Sequence, residues 1–129
     1  MEVNKIEKKF KLSRYDLVKY QIITELVFFK KEHIADTDLE LLTWLGLHGP
    51  VDLTKFCSFV VKQTYVNIEP EDFAVKSQNI RNKITKLQKR GLVIKSNSYK
   101  KMIELTNVIT VHKVGNVLLD YKFLALETN

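Results

Sequence analysis

Apolar positions along this chain follow two periods: every third or fourth residue through its middle, and every second residue towards its two ends. The first spacing puts side chains on one stripe of a helix, and the second puts them on one face of a strand. Val18, Ile22, Leu26 and Phe29 keep helical spacing; Gln21–Phe29 is also rich in strand formers, so helix is the reading there against a strand alternative. Between Asp38 and His48, Leu39, Leu41, Leu42, Trp44, Leu45 and Leu47 cover nearly the whole circumference, which predicts a helix at the centre of the domain. Leu53, Phe56, Cys57, Val60 and Val61 form a third stripe, and Ile80, Ile84 and Leu87 a narrower fourth. Near the start, Lys5–Leu12 sets Ile6, Phe10 and Leu12 against lysines, as an edge strand does. Leu92–Ile94 reads as a strand onto which Met102–Leu105 can pair back. Val108, Ile109, Val111 and Val114 predict another strand, Gly115-Asn116 a tight hairpin, and Val117, Leu119, Tyr121, Phe123 and Ala125 its return strand.

Punctuation residues divide the pattern. Ser13 with Asp16, and Thr37 with Glu40, are capping boxes in which a hydroxyl accepts from an orphan backbone N–H of the first turn. Asp52 is the cap expected for the third helix, and Gly49-Pro50 ends the second. Pro70 predicts an interruption, making Val66–Lys76 a connecting segment and Ser77 the cap of the fourth helix, which Gly91 then stops. The resulting expectation is a single α+β domain over residues 1–129 with three to four helices. Its core spans about residues 37–105, with an added N-terminal strand and a C-terminal hairpin at about 108–126.

Composition narrows the function classes. A chain of 129 residues and 15.1 kDa, 45% hydrophobic and 28% charged, has the material for one folded core. Its formal charge of +6 and pI of about 9.4 favour polyanionic partners. No apolar run is long enough to span a bilayer, and no apolar signal core follows Met1, so an intracellular protein is expected. Cys57, the one cysteine, sits within an apolar stripe and reads as a core residue. His33, His48 and His112 have no Cys or carboxylate at metal-ligand spacing, and no phosphate-binding or nucleophile motif occurs. No catalytic residue, metal, cofactor or small-molecule substrate is therefore expected.

The charge is concentrated. Ser77–Lys101, SQNIRNKITKLQKRGLVIKSNSYKK, holds Arg81, Lys83, Lys86, Lys89, Arg90, Lys95, Lys100 and Lys101 and no Asp or Glu. Opposite Ile80, a helix points Gln78, Asn82, Thr85 and Lys89 outward, flanked by Arg81 and Lys86. Amides suit adenine edges, Arg and Lys suit guanine edges and phosphates, and Thr suits a phosphate or a thymine methyl. The order basic helix, Gly, strand, basic loop, strand resembles the recognition helix and wing of the winged helix-turn-helix superfamily, over about Thr37 to Leu105. That resemblance implies a non-enzymatic regulator or replication-associated protein that binds double-stranded DNA, often as a dimer. Gln78, Arg81, Asn82, Thr85, Lys86 and Lys89 would read the groove, and Lys95, Lys100 and Lys101 would be wing contacts. The chain also resembles small bacteriophage-encoded proteins in style. This implies the alternative, a structural virion component (connector, ring or capsid-associated protein) whose winged-helix fold serves assembly with copies of itself or other phage proteins. Tyr121 and Phe123 would then lie on the assembly surface. The two readings place the protein in the bacterial cytoplasm or in the virion, respectively.

Overall fold

The structure, a computed structural model, describes residues 13–96 and 101–111. They form an α+β arrangement of four helices and a three-stranded antiparallel sheet. Helix α1, Arg14–Ile22, starts on Ser13, whose Oγ accepts from the Asp16 N–H at 3.1 Å, as the capping box predicts. It runs on as a π-helical stretch, Ile23–Phe29. Val18, Ile22 and Leu26 are buried as expected, but Phe29 is 37% exposed. The wider π turn, with Lys30 N–H reaching back five residues to the Glu25 carbonyl at 3.2 Å, rotates Phe29 off the stripe. Nearby, the Thr24 hydroxyl and the Gln21 amide donate to the carbonyls of Tyr20 and Leu17, one turn back.

Helix α2 is Asp36–His48, and Leu39, Leu41, Leu42 and Leu45 are buried along it. Its cap is Ala35, with no side-chain bond, so Thr37 does not cap as predicted. Instead the Thr37 hydroxyl accepts from Lys83 Nζ at 3.1 Å. Gly49, at φ 75°, ends α2, and the two-residue strand β1, Val51–Asp52, follows. Asp52 Oδ1 accepts from the Lys55 N–H at 3.0 Å and caps α3, Leu53–Thr64, which buries Phe56, Cys57, Val60 and Val61. Tyr15, Trp44, His48 and Phe59 form an aromatic cluster joining α1, α2 and α3, with ring centroids 4.7–5.9 Å apart.

Helix α4 is Pro70–Lys89, which corrects the sequence reading most strongly. Pro70 occupies the first turn, where its missing N–H costs nothing, so it starts the helix rather than interrupting it. The connection from α3 is Tyr65–Glu69, and Ser77 lies two turns inside α4 with its hydroxyl buried and unpaired. At the other end Gly91, at φ 77°, donates to the Gln88 carbonyl at 3.0 Å and Leu92 to the Leu87 carbonyl at 3.0 Å. This paired closure satisfies two otherwise orphan carbonyls and brings the buried Leu92 back towards Leu87.

Strands β2, Val93–Lys95, and β3, Met102–Leu105, pair antiparallel with Val93 opposite Leu105 and Lys95 opposite Ile103. Strand β1 pairs on the far side of β3, giving the order β1-β3-β2. Ile84, Leu87, Val93, Ile103 and Leu105 close the core beneath α1, α2 and α3. Beyond β3 the predicted strand does not form at Val108–Val111; residues 107–108 turn, and Ile109 is buried against the core. Lys5–Leu12, Lys100, His112, Tyr121, Phe123 and the predicted hairpin lie outside the described residues.

Candidate nucleic-acid interface

From Arg81 onward, the basic residues of α4 and the described part of the wing fall into two groups. Three are tied to the body of the protein. Arg81 Nη2 donates to Thr54 Oγ1 at the start of α3 at 3.0 Å, Lys83 bonds Thr37, and Arg90 Nη2 bonds both Glu32 Oε1 at 3.2 Å and the His33 carbonyl at 2.7 Å. The Arg90–Glu32 pair is partly solvated and worth about 0–1 kcal/mol. Its consequence is geometric: it clamps the segment after the π stretch to the C-terminal end of α4. Lys76 lies near the start of the run, with Nζ 5.2 Å from the Tyr65 ring centroid.

Lys86, Lys89, Lys95 and Lys101 are the other group. All four are exposed, and none of their ammonium groups has an ion pair or hydrogen bond with another described residue. Lys86 and Lys89 project from the last turns of α4, Lys95 ends β2, and Lys101, at φ 66°, closes the loop entering β3. Gln78, Asn82 and Thr85 continue the same outward line of α4 and are exposed too. The Gln78 amide donates to Asn82 Oδ1 at 2.9 Å, while Thr85 donates to the Arg81 carbonyl at 3.0 Å.

Between the end of α4 and β2 lies an open groove of about 390 Å³, with Thr85, Lys89, Gly91, Ile94 and Lys95 on its walls. Two ammonium groups and a hydroxyl around a shallow groove can hold an anionic group, whereas the openness leaves a small neutral substrate mostly in water. From Phe73 to Ile103 the chain carries no Asp or Glu. The acids of α4 are Glu71 and Asp72 in its first turn, where they complement the helix dipole.

Of the residues predicted to meet nucleic acid, Gln78, Asn82, Thr85, Lys86 and Lys89 are exposed along α4, Lys95 lines the groove with Thr85 and Lys89, and Lys101 is exposed where the chain enters β3. Arg81 is half-buried and drawn towards α3, so it leaves the outward face. The sequence reading missed Val75, 57% exposed, one turn before Gln78 on the same outward line, because it placed that residue in a linker. A second exposed surface, also missed, lies on the π stretch: Ile23, Val27, Phe28 and Phe29 are each more than a third exposed.

Cys57 is buried, and loss of solvent raises its thiol pKa despite the nearby Arg81 charge. Among the described residues, no group of three His, Cys, Asp or Glu side chains could hold a metal ion, and no helix is long and apolar enough to cross a membrane. No protein-family model matches the sequence, and comparison with curated proteins and with solved structures finds no match.

Proposed function

We propose that this chain is a winged-helix protein that binds double-stranded DNA without catalysis, laying the outward face of α4 in the major groove and the β2–β3 loop along the backbone. The fold part of this reading is supported by the order α2, β1, α3, α4, β2, β3 with β1 flanking β3. The five-residue connection Tyr65–Glu69 between α3 and α4 is close to the tight turn of a helix-turn-helix unit. The observation that carries the DNA reading is the set of four lysines, Lys86, Lys89, Lys95 and Lys101, exposed and without acidic partners. A cationic surface of this kind gains free energy by releasing counterions from a duplex. Dimerisation, expected of many such proteins, would add a second helix for a second half-site.

Binding of the purified protein to random-sequence duplex at low and raised salt, with light scattering on the same sample, tests this. Salt-sensitive binding by a monomer or small oligomer supports the proposal, and no binding at low salt refutes it. The assembly reading keeps one specific support, the apolar surface at Ile23, Val27, Phe28 and Phe29. If a second copy covers it, scattering will report large defined particles that Phe28→Ser disperses.

A further inference from the structure

We infer that the outward face of α4 reads A·T pairs, with Gln78 and Asn82 acting as one composite amide edge for adenine and Val75 meeting a neighbouring thymine methyl. This inference rests on the DNA-binding reading above and deepens it. In the internal hydrogen bond the Gln78 Nε2–H donates to Asn82 Oδ1 at 2.9 Å. That bond uses one donor of Gln78 and the carbonyl of Asn82, and leaves Gln78 Oε1 to accept and Asn82 Nδ2 to donate to a base. Adenine presents the complementary pair in the major groove: N7 accepts and the N6 amino group donates. Guanine presents two acceptors, N7 and O6, so its O6 would face the Gln78 oxygen with no proton between them. The same hydrogen bond holds the two side chains in register before DNA arrives, which reduces the ordering cost of binding.

Val75 strengthens the assignment. It is 57% exposed and apolar on a face that is otherwise polar. It precedes Gln78 by three residues, about 4.5 Å along the helix axis, close to one base-pair step of about 3.4 Å. An isopropyl group there fits the C5-methyl of thymine, the one apolar feature of a base edge in the major groove. Arginine, the usual bidentate reader of guanine, is removed from this face because Arg81 turns to Thr54 and Arg90 to Glu32 and His33. Lys89 lines the groove with Lys95, a place for a backbone phosphate rather than a base.

Duplexes of equal length and different composition test this by fluorescence anisotropy. The wild type is expected to prefer an A·T-rich duplex over a G·C-rich one by about tenfold or more. Replacing adenine by 7-deazaadenine, which lacks the N7 acceptor, should reduce that preference, as should replacing thymine by uracil, which lacks the methyl. Gln78→Ala or Asn82→Ala should remove the response to deazaadenine, and Val75→Ala the response to uracil, with salt-sensitive binding retained. Equal affinity for both compositions, or a preference insensitive to these base changes, overturns the inference and leaves general DNA binding standing. No binding to any duplex at low salt overturns both.

Discussion

The salt dependence of duplex binding is set by how many lysines meet phosphates. Among the described residues, Lys86, Lys89, Lys95 and Lys101 are exposed without an ionic partner, whereas Lys83 and Arg90 are bonded to Thr37, Glu32 and the His33 carbonyl. Each lysine that neutralises a phosphate steepens the slope of log affinity against log salt by about 0.9. Four such contacts give a slope of about −3.6, an affinity loss of about 150-fold between 50 and 200 mM salt. Replacing Lys86 and Lys89 together by alanine should bring the slope to about −1.8 and that loss to about 12-fold. Lys83→Ala and Arg90→Ala are the matched controls: each removes one positive charge from the same helix region but should leave the slope unchanged. The assay is anisotropy of a labelled duplex titrated across the salt range, with circular dichroism to confirm that each variant is folded. If the controls flatten the slope as much as Lys86→Ala or Lys89→Ala, the division into tied and free cations is wrong. A slope near zero in the wild type would remove the basis of the proposal.

Three further outcomes are expected. Gly91→Ala puts a β-carbon into open space but at φ 77°, so the cost is backbone strain of about 1 kcal/mol. Thermal melting should fall by about 3–6 °C, with a smaller drop for Gly91→Asn, and an unchanged midpoint would refute the strain. Glu71→Gln removes an acid one turn before Val75, so duplex affinity at low salt should rise by about two- to fivefold while the helix loses a favourable dipole contact. A fall in affinity would place the duplex elsewhere. Burial raises the Cys57 thiol from its ordinary 9.0, so the folded state holds a proton that the unfolded chain releases. The associated stability is present below pH 9 and is lost as pH rises through the folded value. Chemical denaturation should show Cys57→Ala to be less sensitive to pH above 9 than the wild type, and equal sensitivity would contradict this.

Local chemistry made much of this fold legible in advance. Ser13 and Asp52 accept from backbone N–H groups three residues on, Gly91 takes the positive φ that ends α4, and the alternation at Met102–Leu105 fixes its pairing with β2. The errors come where one residue type serves two purposes. Proline breaks a helix interior yet suits a first turn, and only the burial of Ile84 and Leu87 on a line running back to Ser77 and Phe73 shows which applies at Pro70. Thr37 looked like a cap because its spacing to Glu40 is local, whereas its partner, Lys83, lies 46 residues away. The outward positions of Gln78, Asn82, Thr85 and Lys89 followed from helix geometry alone. The withdrawal of Arg81, Lys83 and Arg90 did not, because each is held by a side chain or carbonyl remote in sequence.

Backbone amide chemical-shift mapping of the labelled protein with a short duplex tests most directly whether the outward face of α4 is a DNA-binding surface. Salt-sensitive shift changes are expected to concentrate on Gln78–Lys89, Lys95 and Lys101, with Ile23–Phe29 unmoved. Changes centred on Ile23–Phe29, or none at low salt, would contradict a DNA-binding role for that face.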